Sequence, residues 1–115
     1  MIVEKRRVER FVLLNVEGVI KLGESAEFLA QTLERTLEEE DGDILLDLSR
    51  INYIDSTGIG ELVGFLGRLQ ELDRRLVLIN PNERIRKLLY VARLDSLFPV
   101  YESLDEAIVE EDQSA

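Results

Sequence analysis

The residues with chemistry to offer are concentrated in one turn, Asp55-Ser56-Thr57-Gly58-Ile59-Gly60, where a carboxylate stands beside two hydroxyls and two glycines. Such a set can cap a helix, accept backbone N–H groups, or receive a phosphoryl group on a hydroxyl oxygen. Much of the usual catalytic repertoire is missing. The 115 residues include no histidine and no cysteine, which removes imidazole acid–base catalysis, thiol nucleophiles, Ser-His-Asp triads, Cys/His zinc sites and disulfides together. Catalysis by carboxylates needs a second titratable group in the same pocket, and this turn supplies Asp55 alone. The residue types therefore point to a binding module that is acted upon, with no catalytic residue, cofactor or metal ligand.

Position sharpens that reading. Asp55, Ser56 and Thr57 are all favoured N-cap residues for the helix expected over Ser56 to Asp73, but only one can cap it, Thr57 being a natural choice. At about 100° per residue, Ser56, Gly60, Gly64 and Gly67 fall on one stripe, away from the apolar face of Ile59, Leu62, Val63, Leu66 and Leu69. Each exposed glycine inside a helix costs about 1 kcal/mol relative to alanine, so three cost on the order of 3 kcal/mol. Bare backbone along an outward stripe that starts at a serine hydroxyl suits a partner that must approach closely. Relief of crowding against a neighbouring helix is the competing explanation.

The rest of the chain supplies a frame for this turn. Ile2 to Val8 and Phe11 to Val16 read as strands joined near Glu9-Arg10, and Gly18 and Gly23 bracket a turn. Ala26, Leu29, Ala30, Leu33 and Leu37 give Ser25 to Glu39 the period of an amphipathic helix, with Ser25 as its expected cap. Ile44 to Leu48 and Leu76 to Ile79 are short apolar runs, as expected of parallel strands buried on both faces. Pro81-Asn82 opens a helix carrying Ile85, Leu88 and Leu89, and Phe98 to Tyr101 reads as a short strand. Ser103-Leu104-Asp105-Glu106 is a capping box for a last helix through Ile108. The expectation is a single α/β domain, a mixed but mostly parallel sheet packed against about four helices, spanning residues 1–109, with 110–115 as a frayed acidic tail.

Fourteen basic and 24 acidic residues leave a formal charge of −10, which argues against nucleic acid and anionic membrane as partners. Apolar runs such as Val12-Leu13-Leu14 are far short of the roughly 20 residues a membrane span requires, and the N-terminus lacks a signal-peptide core, so a cytoplasmic location is expected. Lys5-Arg6-Arg7 and Arg84-Arg86-Lys87 read as solvated charge.

Asp47-Leu48-Ser49 followed by Ile54-Asp55-Ser56-Thr57-Gly58-Ile59-Gly60, a leucine-rich helix and a buried strand resembles the STAS domain of bacterial anti-sigma factor antagonists, with matching element order from Val3 to Val109. The resemblance implies that Ser56 is phosphorylated by an anti-sigma factor with serine kinase activity, Thr57 being a less favoured acceptor. It further implies that the unphosphorylated protein binds that factor and frees a sigma factor, and that a phosphatase restores the cycle. The partner surface implied comprises Asp55, Ser56, Thr57, Gly58, Ile59, Gly60, Gly64, Gly67 and Lys21. One departure stands out. Antagonists often carry acids between the second strand and first helix, where this chain has Val19 and Lys21, and the reversed charge fits a different partner, such as a stressosome-type scaffold or a transporter's ATPase.

Three rival readings fail on specific residues. The turn is one residue too long for the Asp-Thr-Gly or Asp-Ser-Gly of dimeric aspartic proteases, whose fold is all-β. A phosphoryl-accepting receiver domain would need acidic magnesium ligands at the end of the first strand. Gly58, Gly60 and Gly64 are one residue off the dinucleotide spacing.

Overall fold

The computed structural model describes residues 1–114. The elements are β1 (Ile2–Val8), β2 (Phe11–Ile20), α1 (Glu24–Glu39), β3 (Ile44–Ile54), α2 (Ser56–Glu71), β4 (Leu76–Ile79), α3 (Glu83–Val91), β5 (Val100–Tyr101) and α4 (Leu104–Ser114). They form one five-stranded sheet in sequential order, with β1 antiparallel to β2 and every later neighbour parallel. Each parallel step moves across the sheet in the same direction, so right-handed crossovers place α1, α2 and α3 on one face. The expected single α/β domain with four helices is what the chain adopts. Among the described residues no helix is long and apolar enough to cross a membrane.

The two faces are built differently. On the helical face Val12, Leu14 and Val16 of β2, Ile44, Leu46 and Leu48 of β3, and Leu76 and Leu78 of β4 pack against Leu29, Leu33, Leu62, Phe65, Leu69, Ile85 and Leu89 from the three helices. On the other face α4 covers a smaller cluster of Phe11, Leu13, Leu45, Val77 and Ile79, with Val8 and Tyr101 at its edge, using Leu104, Ala107 and Ile108. Beyond α4 the same face turns polar, and Glu4, Arg6, Asn15, Glu17, Asp47 and Arg50 line an open cleft of about 390 Å³. The period-2 alternation of the strands assigns each residue to its side.

Several boundaries differ from the sequence expectation. Strand β2 runs on to Ile20, so Gly18 lies within it at φ 123 rather than in a turn. Strand β3 continues to Ile54 because it gains a residue on β2 twice, between Asp47 and Arg50 and again between Ile51 and Tyr53. Gly23, not Ser25, is the N-cap of α1; the Ser25 hydroxyl instead donates to the Lys21 carbonyl at 3.0 Å and accepts from its N–H at 2.9 Å.

The frayed tail is also corrected: α4 continues through Ser114, while Ala115 lies outside the described residues. What holds the helix is Glu111, 1% exposed. Its carboxylate accepts from Arg75 Nε at 2.6 Å, Arg75 Nη2 at 3.2 Å and the Tyr101 hydroxyl at 2.7 Å. Arg10 adds bonds to the Asp112 carboxylate at 2.8 Å and the Glu111 carbonyl at 3.0 Å. At the end of α1, which has no basic residue in its last turn, Arg74 donates to the carbonyls of Leu37, Glu40 and Gly42. That guanidinium answers the carbonyls of Leu37 and the cap residue Glu40, which the helix cannot satisfy itself, and ties them to the following loop at Gly42.

Burial, and then the hydrogen bond to Glu111, push the Tyr101 phenol from 10.0 up to about 12. The fold thus favours the protonated phenol, and its contribution to stability is present below pH 10 and lost as pH rises toward 12. Denaturant titrations at pH 8 and pH 11 are expected to show a smaller alkaline loss for Tyr101→Phe than for the parent chain.

Candidate functional site

The site stands where the carboxyl ends of β2 and β3 meet the N-terminus of α2. Pairing of Ile20 with Ile54, extended by the Asp55 N–H donating to the Ile20 carbonyl at 3.1 Å, brings the two chain segments side by side. Asp55 then leaves the strand in an extended conformation and caps α2. Its Oδ1 accepts the Gly58 N–H at 3.0 Å, and its Oδ2 accepts the Leu22 N–H at 2.9 Å from the loop before α1. These two backbone bonds, Leu22's first, hold the carboxyl below its usual range and keep it ionised at neutral pH. The cap is therefore Asp55, not Thr57, and the same carboxylate holds the turn through backbone N–H groups.

With capping assigned to Asp55, Ser56 has no structural duty. It is exposed, and its hydroxyl makes no hydrogen bond among the described residues. Thr57 is half-buried. Gly58 and Ile59, expected in the partner surface, are buried and are corrected to packing roles. A Cβ at Gly58 would lie 2.6 Å from Ile54 Cγ1 and 2.7 Å from Ile20 Cγ2, so only glycine lets α2 start this close to the sheet. Ile59 belongs to the main core.

The outer stripe behaves differently from Gly58. Gly60, Gly64 and Gly67 are exposed, and a Cβ at any of them would meet nothing within 4 Å. Crowding therefore does not explain them, and the chain forgoes helix stability there without a packing return. Gly64 borders a shallow groove of about 240 Å³ between α1 and α2, lined also by Ala30, Leu33, Glu61 and Phe65 and closed by the Arg68–Glu34 ion pair.

Lys21 is exposed in the loop that Leu22 anchors to Asp55, and its ammonium makes no ion pair among the described residues. Sequence reasoning missed the apolar surroundings of this turn. Leu22 is 76% exposed, and Val19 and Tyr53, paired across β2 and β3, are exposed as well, with the Arg84 guanidinium 6.0 Å above the Tyr53 ring. The available signal was Val19 and Leu22 flanking Lys21 in a stretch read as a turn.

Comparison with known proteins bears on what this geometry serves. The family model described as STAS domain matches residues 3–107. The anti-sigma-B factor antagonist of Staphylococcus epidermidis is 32% identical over 77 residues, 67% of this chain and 71% of that one. The anti-sigma-B factor antagonist of Staphylococcus aureus strain NCTC 8325 is 28% identical over 103 residues, 90% of this chain and 94% of that one. The crystal structure of TM1081 from Thermotoga maritima superposes with a TM-score of 0.86 at 25% identity, covering 94% of this chain and 92% of that one.

Gly58→Ala is expected to destabilise the fold by about 1 to 3 kcal/mol, because Ile20 and Ile54 must shift to admit the methyl group. Urea denaturation followed by circular dichroism checks it.

Proposed function

The chain belongs to the STAS domain family, and we propose that it is an anti-sigma factor antagonist whose partner binding is switched by phosphorylation of Ser56. In this reading the unphosphorylated chain binds an anti-sigma factor with serine kinase activity and so releases a sigma factor in the cytoplasm. The partner transfers the γ-phosphoryl group of ATP to Ser56 Oγ, and a phosphatase hydrolyses it again. The observation that carries the proposal is the unengaged Ser56 hydroxyl at the head of a glycine stripe with open space above it. The Staphylococcus relatives, named as anti-sigma-B factor antagonists, support the same reading.

Physical chemistry makes the switch workable. A phosphate on Ser56 adds about −1.5 to −2 charges at the favourable end of the α2 dipole, so the fold tolerates it. The cost falls on the interface, where bulk and charge oppose a partner fitted to a bare hydroxyl and bare helix backbone. Asp55, held ionised by Leu22 and Gly58, adds to the repulsion. The partner surface consists of Asp55, Ser56, Gly60, Gly64, Gly67 and Lys21, with Thr57 at its margin.

The exposed, non-acidic Val19 and Lys21 favour a second reading, in which the same surface serves a stressosome-type scaffold or a transporter's ATPase. Mass spectrometry after incubation with serine kinases of the anti-sigma type and ATP decides between them. Phosphate on Ser56, absent from Ser56→Ala, is expected; no phosphate with any such kinase overturns the switch.

Two substitutions read the interface separately from the fold. Ser56→Asp is expected to leave the melting temperature within about 2 °C of the parent while weakening partner binding at least about tenfold. Gly64→Ala is expected to raise stability by up to about 1 kcal/mol, since its methyl group meets only solvent, while weakening the same binding. Calorimetry of unfolding and titration with the anti-sigma factor measure both.

A further inference from the structure

Strand β1 lies at the edge of the sheet, with β2 as its one neighbour. The loop Glu9-Arg10 joins Val8 directly to Phe11 in the pairing register, so Val8 and, in step, Arg6, Glu4 and Ile2 exchange backbone hydrogen bonds with β2. Val3, Lys5 and Arg7 accordingly aim their N–H and C=O groups outward, where the sheet ends.

Edge strands are commonly protected by charge, and four of the seven residues of β1 are charged. The charges are not all engaged alike. Lys5 pairs with Glu39 at 3.2 Å and Glu40 at 3.7 Å, and Arg7 pairs with Glu40 at 2.9 Å, so both are drawn to the end of α1 on the helical face. Among the described residues the side chains of Glu4 and Arg6, on the opposite face, make no hydrogen bond or ion pair. Ile2, on that same face, is 58% exposed.

From this we infer that β1 is a self-association edge, which pairs antiparallel with the β1 of a second copy about a two-fold axis through Lys5. That register sets Glu4 opposite Arg6 at both ends of the pairing and Ile2 opposite Val8 beyond them. The Glu4–Arg6 pairs fall at non-hydrogen-bonded positions, where facing side chains are closest. Val3 faces Arg7, and Lys5 faces its own copy, so the outward N–H and C=O groups satisfy each other across the axis. The single like-charge contact, Lys5 against Lys5, is offset because each ammonium already lies between two carboxylates of its own chain. Shifting the axis to Glu4 would face Glu4 with Glu4 and Ile2 with Arg6, which forfeits both complementarities. The contact is isologous and closed, and it joins two sheets into one while leaving α2 and Ser56 uncovered.

Sedimentation of the full chain between roughly 10 μM and 1 mM tests it, with far-UV circular dichroism confirming that each variant is folded. A concentration-dependent dimer is expected for the parent. Arg6→Glu sets like charges opposite one another at two places and should raise the dissociation constant at least about tenfold. The double exchange Glu4→Arg with Arg6→Glu should restore dimerisation. Lys5→Pro removes an outward N–H without touching the β1–β2 ladder and should give a monomer. A parent chain that stays monomeric throughout the range overturns the inference. So does a dimer indifferent to Arg6→Glu and Lys5→Pro, or a double exchange that fails to restore what Arg6→Glu removes.

Discussion

One carboxylate organises the functional end of the molecule. Asp55 spends its two oxygens on two N–H groups from distant parts of the chain, Gly58 in the first turn of α2 and Leu22 in the loop before α1. The bond to Gly58 caps the helix, and the bond to Leu22 fixes the loop against that cap. Because both donors are backbone, the arrangement depends little on the side chains around it, and Val19, Lys21 and Leu22 are free to vary in character on a fixed scaffold. It also releases Ser56. In a turn with three candidate caps, a cap by Ser56 or Thr57 would have tied up a hydroxyl; a cap by aspartate leaves the Ser56 hydroxyl in solvent at the positive end of a helix dipole.

The clamp works only because Gly58 is bare. Ile20 and Ile54 occupy the space a side chain would need, so the start of α2 is pressed against the ends of β2 and β3. Glycines of one helix thus answer to opposite constraints. Gly58 is needed by the interior, whereas Gly60, Gly64 and Gly67 have nothing near them to accommodate. A stability argument explains the first and runs against the other three, and in the proposed function that contrast separates scaffold from contact surface along α2.

How legible all this was in the sequence follows the reach of the interactions. Helices α1, α2 and α3 and the buried runs Ile44 to Leu48 and Leu76 to Ile79 declare themselves through local apolar period, and the outward glycine stripe follows from the same geometry. The second half of β3 does not. Its residues Ser49 to Ile54 gain on β2 twice, so Ile51 and Ile54 point inward three positions apart and the period of two is lost. In sequence Glu111 stands within the acidic run Glu110-Glu111-Asp112, a pattern that ordinarily marks a frayed, solvated end. Its burial depends on Arg75 and Tyr101, 36 and 10 residues away, and no local pattern announces such partners. Asp55 was recognisable as a turn-holding residue, but its second acceptor role required knowing that Leu22 would arrive beside it.

Charge is likewise distributed in ways the total of −10 conceals. The acidic end of α1 is met by Lys5 and Arg7 from β1 and by Arg74 on its carbonyls, while the acidic end of α4 is met by Arg10 and Arg75. Much of the basic complement is thereby committed at the end of the sheet remote from Ser56. Near Ser56 the structure offers the fixed negative charge of Asp55, an unengaged Lys21, the Arg84 guanidinium over Tyr53, and exposed apolar side chains. Negative charge added at Ser56 lies outside the ion pairs that anchor α1 and α4. Under the proposed switch, that separation lets a phosphate at Ser56 act at one end of the molecule while the end that holds the fold together is left undisturbed.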